Sequence, residues 1–240
     1  LFLGPVTIAP IRILEILRSG ITDDADARIL LHVRLPRTLA AVLSGMALAT
    51  AGLLLQTVLH NPLAGPSLIG VNAGAGFSTL LILAWFPALY GWIPLAAFGG
   101  AMLVSLVVVG LSAATGATRI ATILAGVICS GLLNTASDAL LLLSPNSTLT
   151  TGTYLIGGFS GITAAMLRTS APAMLLTLVL CLFIGRPLAL MGFEDDGART
   201  LGVPLPRTRL LLRLAASMLA GGADSHAGQL GLVGLMVPHM

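Results

Sequence analysis

The sequence predicts an all-α protein that spans a membrane several times, and three observations support this prediction. Hydrophobic residues make up 56% of the 240 residues and charged residues only 9%, against about 25% charged residues in soluble domains. The mean hydropathy is +1.00. Between Thr38 and Thr118 there is no Lys, Arg, Asp or Glu, and a soluble surface is not built from such a stretch. The chain is therefore expected to be an integral membrane protein.

Uncharged runs of sufficient length mark six spans. A helix rises about 1.5 Å per residue, so about 20 apolar residues cross the hydrocarbon core of roughly 30 Å. The main helical spans fall within residues 37–223, and the predicted spans are 38–59, 67–86, 92–114, 120–144, 169–185 and 214–223. The sixth run is the shortest of them.

The segments between the spans have recognisable local signals. Residues 1–17 are mildly amphipathic, too polar and too short to span, and the charged connector at 23–37 is expected to be a solvated loop. Pro36 suits the first turn of a helix, where its missing N–H is no loss. At 61–66, two prolines and a glycine interrupt the helical hydrogen bonds, which predicts a tight turn between the first two spans.

The arginine residues give an orientation. They are densest in the loop at 186–213, between the fifth and sixth runs, and arginine-rich short loops are usually cytoplasmic. Counting spans from that loop places the turn at 61–66 on the cytoplasmic side, with Arg34 and Arg37 on the outer side. Because the arginines are dispersed, no nucleic-acid partner is expected.

Several kinds of chemistry have no support in the sequence. Cys129 and Cys181 lie inside apolar runs and indicate neither a disulfide nor a metal pair. Asp224 and His226 supply only two candidate ligands, which do not make a metal site, so no metal is predicted. The sequence has no GxxxxGK[ST] phosphate loop, so ATP hydrolysis would need a separate subunit.

The fourth span carries a polar face. Ser130, Asn134 and Asp138 follow one another at intervals of four residues and share one side of the helix. A carboxylate inside a span usually faces a bundle interior or a water-filled cavity, which favours a transport pathway. The alternative is that Asp138 lies near the outer interface and hydrogen-bonds within the bundle.

Seven spaced motifs together resemble one family. They are RLPR at 34–37, NPLAGP at 61–66, LIGVNAGA at 68–75, LAGV at 124–127, YLIGGFSG at 154–161, EDDGARTLGV at 194–203 and GLVGLMVPH at 231–239. This order is similar to that of the FecCD-type permease subunits of ABC importers for iron complexes and vitamin B12, and it covers essentially the whole chain. The resemblance implies a single transmembrane domain of the type II ABC importer permease fold, truncated at both ends to about six to seven of ten helices.

The resemblance also implies roles for particular residues. Arg34 and Arg37 would dock the substrate-binding protein, with a lipid-headgroup anchor as the alternative. The translocation path and its inner gate would comprise Gln56, Asn61, Pro62, Leu63, Ser130, Asn134 and Asp138. The segment that couples the permease to the ATPase would lie within the cytoplasmic loop at 186–213. The alternative is that this short charged helix only caps the loop and has no coupling role. The coupling residues would be Glu194, Asp195, Asp196, Gly197, Ala198, Arg199, Leu201 and Gly202.

The implied assembly is an ATP-driven importer of ferric siderophores or related iron complexes in the bacterial inner membrane. Its partners would be a second permease subunit, identical or different, two ATP-binding cassette subunits, a periplasmic substrate-binding protein and the lipid bilayer. The chain itself would perform no catalysis and hold no cofactor, since ATP binds the cassettes. Alternatives are a vitamin B12 or haem permease, or a non-transporting remnant, suggested by GGADSHAGQL at 221–230. A secondary transporter is disfavoured, because only Asp138 is charged well inside a span.

Overall fold

The computed structural model describes residues 7–19, 24–114, 118–144, 157–191, 200, 204–228 and 230–239, and all the regular structure in these ranges is helical. The helices are α1 (Pro10–Ser19), α2 (Ala25–Arg28), α3 (Leu35–Leu59), α4 (Val71–Trp85), α5 (Ile93–Ala114), α6 (Arg119–Leu143), α7 (Ala164–Phe183), α8 (Gly185–Leu190), α9 (Leu205–Ala227) and α10 (Val233–Met236). A π-helical turn occupies Ile29–Arg34, and 3-10 turns occupy Pro87–Trp92 and Val237–His239.

Four helical segments are long and apolar enough to cross a membrane. They are Ala25–Leu59, Pro87–Ala114, Arg119–Leu143 and Ala164–Phe183, and α4 is a shorter apolar helix. Large apolar side chains remain exposed on these segments, including Leu142 (82% exposed) and Phe183 (80% exposed). Such an apolar surface is suited to contact with lipid. A helix is also stable there because its backbone N–H and C=O groups bond to each other within the helix. The prediction of an all-α membrane bundle is confirmed.

The first spanning helix differs from its prediction. The helical backbone begins at Ala25 and runs through Leu59, so the prediction of a solvated loop at 23–37 was wrong for most of its length. Pro36 lies within this continuous helix, two residues after the π-helical turn ends at Arg34. The N–H of Leu35 bonds to the carbonyl of Leu30. The change of hydrogen-bond register at this turn provides a place for a residue that has no N–H.

Two other helices are longer than predicted and one is shorter. The N-terminus of α7 lies at Ala164, where the Thr163 side chain accepts a hydrogen bond from the N–H of Met166 as an N-cap. The sixth predicted span is the middle of α9, which has 23 residues. Helix α4 begins only at Val71, after Gly70 adopts the left-handed conformation with φ 77°.

The main core lies between α3 and α9, with contributions from α4, α5 and α7. Leu48, Leu54 and Leu55 from α3 pack in one cluster with Leu212 and Leu219 from α9. All five side chains are almost fully buried. Helix α3 is therefore the central element of the bundle.

A smaller cluster fixes α1 beside the start of the first spanning helix. Ile13 and Ile16 of α1 pack with Leu30, while the Arg12 guanidinium forms an ion pair with Asp24. The hydrogen bond from Arg12 lowers the pKa of Asp24 below the ordinary value of a carboxyl group, against an opposing desolvation. The ion pair therefore supports the position of α1 while Asp24 is ionised.

Candidate functional site

The two arginines that are predicted to face the outer side, Arg34 and Arg37, lie at the start of α3. Arg34 is half-buried, and its carbonyl accepts a hydrogen bond from Thr38 Oγ1 at 2.8 Å. Arg37 is exposed, and its Nε donates to the carbonyl oxygen of Phe159 at 3.0 Å. The arginines lie one helical turn apart, and the second of them also contacts the segment that precedes α7. That they dock a partner stays a prediction.

The same segment connects α3 with α9. The N–H of Gly158 donates to the carbonyl of Ala227 at 2.6 Å, at the last residue of α9. Gly157 and Gly158 both have positive φ angles, 74° and 146°, which only glycine adopts readily. This end of the bundle therefore brings together Arg37, the segment 157–161 and the end of α9.

The opposite end of α3 forms the predicted tight turn. His60 ends the helix in the left-handed conformation with φ 47°, and the N–H of Asn61 returns to the carbonyl of Gln56. The Asn61 side chain accepts a hydrogen bond from the N–H of Leu63 at 2.9 Å, as Asn often does in turns. Pro62 and Leu63 are exposed, and Leu63 retains 63% of its accessible surface.

The predicted polar face of α6 exists, and its three residues have different environments. Ser130 is half-buried, donates to the carbonyl of Gly126 at 2.8 Å and reaches the carbonyl of Ser67 at 3.4 Å. Asn134 and Asp138 are exposed further along the same helix. The structure therefore brings Ser130 next to the turn region and leaves the side chains of Asn134 and Asp138 exposed. That these residues line a pathway stays a prediction, as does the alternative for Asp138.

The predicted coupling residues lie outside the described part of the chain. These residues are Glu194, Asp195, Asp196, Gly197, Ala198, Arg199, Leu201 and Gly202. Their role stays a prediction.

The segment 233–239 contacts the inner half of α3, and sequence reasoning did not foresee this. Gln56, predicted to belong to the pathway, donates from Nε2 to the carbonyl of Leu235 at 3.2 Å. His239 Nε2 lies 3.0 Å from the carbonyl oxygen of Pro62. The motif GLVGLMVPH, which contains both Leu235 and His239, was a signal for a role here, but its contact with the turn could not be inferred from spacing.

The unusual sequence at 221–230 does not disrupt the fold. Helix α9 continues to Ala227, and Asp224 and His226 are both buried. Residues two apart on a helix point about 200° away from each other, so these two side chains do not face a common site. His226 instead forms a hydrogen bond with Ser170 of α7. Among the described residues, no group of three or more His, Cys, Asp or Glu could hold a metal ion.

The comparisons with known proteins agree with this architecture. The model of the FecCD transport family matches residues 1–240. The chain belongs to the FecCD transport family. This confirms the predicted resemblance and, with the four membrane-capable helices, makes the chain a multi-pass membrane permease.

Three relatives in the FecCD transport family cover more than nine tenths of the chain. The ferric enterobactin permease FepD of Escherichia coli is 36% identical over 92% of this chain and 67% of its own length. The achromobactin permease CbrC of Dickeya dadantii is 33% identical over 99% of this chain and 68% of its own length. The Fe(3+) dicitrate permease FecC of Escherichia coli is 35% identical over 93% of this chain and 69% of its own length. The chain thus spans about two thirds of the length of each.

A solved structure supports the fold. It is described as a metal-chelate type ABC transporter in an inward-facing conformation. The TM-score is 0.86 at 26% sequence identity, and the alignment covers 100% of this chain and 74% of the other. The described helices are therefore arranged as in an ABC transporter subunit.

Proposed function

We propose that this chain is the membrane-spanning permease subunit of an ATP-driven importer for ferric siderophores or related iron complexes. The observation that carries the proposal is the identity of about a third, over more than nine tenths of the chain, to permeases for ferric enterobactin, achromobactin and ferric dicitrate. Two of these permeases are named for Fe(3+) carried by enterobactin or by citrate, and none of the three is named for vitamin B12 or haem, which favours this class.

The geometry supports a path along the bundle. Arg34 and Arg37 lie at one end of α3, and the turn at 61–66 lies at the other. The exposed Arg37 and the half-buried Arg34 at the outer end can attract an acidic surface on a substrate-binding protein. The exposed Asn134 and Asp138 on α6 would line the route between the two ends, and alternating access would open either the outer end or the inner turn.

The same proposal assigns the partners. Two ferric enterobactin permeases, FepD and FepG of Escherichia coli, are 36% and 34% identical to this chain, which supports a second permease subunit. ATP would be bound and hydrolysed by two cassette subunits that contact the loop at 186–213 through its residues 194–202. The chain would hold no cofactor, perform no catalysis and reside in the bacterial inner membrane.

The test is uptake by the complete transporter in proteoliposomes. Ferric enterobactin, ferric dicitrate, haem and vitamin B12 are each supplied with their binding proteins and ATP. We expect uptake of an iron–siderophore or iron–carboxylate complex only. Uptake confined to haem or vitamin B12 would refute the substrate class, and no ATP-dependent uptake of any of them would support the remnant alternative.

The docking assignment has a matched control. Arg37→Glu reverses one predicted docking charge, whereas Arg168→Glu reverses an exposed arginine near the start of α7. Because a rim charge acts mainly on association, we expect Arg37→Glu to raise the half-saturating concentration of binding protein about tenfold, with the maximal rate retained. An equal effect of Arg168→Glu would show a nonspecific loss of surface charge instead.

The coupling assignment is tested separately. Asp195→Arg combined with Arg199→Glu should abolish both uptake and co-purification of the cassette subunits. Normal cassette association in this double variant would contradict the assignment.

A further inference from the structure

Three contacts join the inner half of α3 and the turn that follows it to the segment 233–239. The first is a backbone contact, because a Cβ atom placed on Gly52 would overlap the carbonyl oxygen of Gly234. The second is the hydrogen bond from Gln56 to the carbonyl of Leu235, at 3.2 Å. Gly52 contacts Gly234, and Gln56, further along α3, contacts Leu235. The two stretches of chain therefore run side by side in the same direction.

The third contact reaches the exposed part of the turn. His239 Nε2 lies 3.0 Å from the carbonyl oxygen of Pro62. A carbonyl oxygen can only accept, so the ring nitrogen donates. Pro62 and Leu63 are exposed while Ala64 is buried, so this bond reaches a part of the turn that packing does not hold.

The buried part of the turn contacts the same segment. Gly234 lies against both α3 and the turn, since a Cβ atom on it would come within 3.0 Å of the Leu48 carbonyl oxygen and 3.2 Å of Pro66 Cδ. At Gly65, a Cβ atom would lie 3.9 Å from Leu235 Cβ. The segment 233–239 therefore touches the turn at its buried base and at its exposed tip.

We propose that His239 and Gln56 are positioning residues that hold the segment 233–239 to the turn at 61–66 and to the end of α3 that carries this turn, so that turn and segment move as one unit during transport. The inference rests on the proposed function, in which the turn is the inner gate. It goes further by assigning a role to His239 and by naming the part of the chain that must move with the gate.

The contact at His239 can be removed without unfolding the protein. His239 is exposed, and surface substitutions outside special sites change stability little. His239→Ala removes the donor, whereas His239→Gln retains an N–H group at similar reach. Thr57→Val is a matched control for Gln56→Ala, because the Thr57 hydroxyl bonds within its own helix, to the carbonyl of Leu53.

The experiment uses the assembled transporter with Cys129 and Cys181 replaced by alanine. A single Leu63→Cys substitution reports whether the turn moves. The rate at which a maleimide labels this cysteine is measured without nucleotide and with bound ATP, and the two rates are compared. A second substitution, Met236→Cys at a side chain that is 50% exposed, allows a short bifunctional maleimide to bridge the turn and the segment.

We expect the labelling rate of Leu63→Cys to differ between the two nucleotide states. We also expect the bridge to leave unchanged whatever ATP-dependent uptake the unbridged Leu63→Cys, Met236→Cys transporter shows. His239→Ala and Gln56→Ala should raise the labelling rate by about threefold to tenfold, as the loss of one ordinary hydrogen bond produces, and should lower uptake. His239→Gln and Thr57→Val should do neither.

Two results would overturn the inference, and they differ in what else they reject. If labelling of Leu63→Cys changes with nucleotide but the bridge to Met236→Cys stops uptake, turn and segment move separately, and the gate assignment survives. If labelling is the same in both states while uptake proceeds, the turn is not a gate, and the inference fails together with that part of the proposed function.

Discussion

Replacing Gly52 by alanine should destabilise the bundle, although alanine is the better helix former. The added Cβ would overlap a backbone oxygen of Gly234, and a backbone atom cannot rotate away as a flexible side chain can. Overpacking of this kind costs about 1–3 kcal/mol. Displacement of 233–239 would also weaken the hydrogen bond from Gln56 to Leu235, worth about 0.5–1.5 kcal/mol. The expected total is about 1.5–4.5 kcal/mol.

Gly45→Ala on the same helix is the matched control. A Cβ atom there would meet nothing within 4 Å, so Gly45→Ala should be neutral or stabilising by up to about 1 kcal/mol through helix propensity. The propensity gain is common to both variants and cancels in their comparison.

The assay is thermal unfolding of the purified protein in one detergent, followed by circular dichroism. We expect the Tm of Gly52→Ala to lie roughly 5–10 °C below that of Gly45→Ala. Equal Tm values would refute the argument, because they would mean that the close backbone contact with Gly234 does not exist.

A second pair of glycines repeats the test on α6. A Cβ atom on Gly126 would overlap the carbonyl oxygen of Leu68, whereas one on Gly131 would meet nothing within 4 Å. Gly126→Ala should therefore lower the Tm relative to Gly131→Ala by a similar amount, about 1–3 kcal/mol in free energy. A similar Tm for both variants would show that the chain after the inner turn does not lie against α6.

Two further predictions concern polar contacts. Ser170→Ala should lower the free energy of unfolding by about 1–3 kcal/mol, because it leaves buried His226 without its partner. Thr169→Ala is the control and should change the free energy of unfolding by no more than about 0.5 kcal/mol. Chemical unfolding of the two variants measures the difference. Arg12 lowers the pKa of Asp24. The ion pair therefore contributes fully to stability at a pH above the ordinary pKa of a carboxyl group, and this contribution is lost as the pH falls through the lowered pKa of Asp24. The protection factors of the amides in α1, which correct the exchange rates for pH, should fall over that acidic range in the natural protein and should be low at every pH in Asp24→Asn.

The spans were predictable because the absence of charge is a property of composition. A helix in lipid must be apolar over a fixed length, and the run at 120–144 corresponds to α6 within one residue at each end. The starting residues were less predictable. Pro36 indicates a helix start by its own chemistry, but the π-helical turn before it lets the helix continue from Ala25, and no local signal announces that turn.

The site was predictable as a set of segments but not as a set of contacts. Asn61 and its prolines predict a turn from backbone chemistry alone. The contact of His239 with Pro62 joins residues 177 positions apart, and one sequence without an alignment has no signal for such a pair. The polar sequence around Asp224 suggested a non-transporting remnant, whereas the structure continues α9 to Ala227 and pairs His226 with Ser170 on a neighbouring helix.

Helix α3 links the two arginines predicted to dock a partner directly to the turn at 61–66. Arg37 and Gln56 lie on the same continuous helix, and 19 residues at about 1.5 Å each separate them by roughly 29 Å. In the most apolar part of the segment Ala25–Leu59, 50% of the residues are buried, whereas in that of Ala164–Phe183 only 17% are buried. Helix α3 is therefore packed against neighbouring helices on more sides than α7. A docking event that displaces Arg37 along the helix axis would therefore move Gln56 and, through Leu235, the segment 233–239. Coupling of distant sites requires a packed element with two positions that both sites bias. Because α3 contacts the segment 157–161 at Phe159 and the segment 233–239 at Leu235, we expect α3 to be that element.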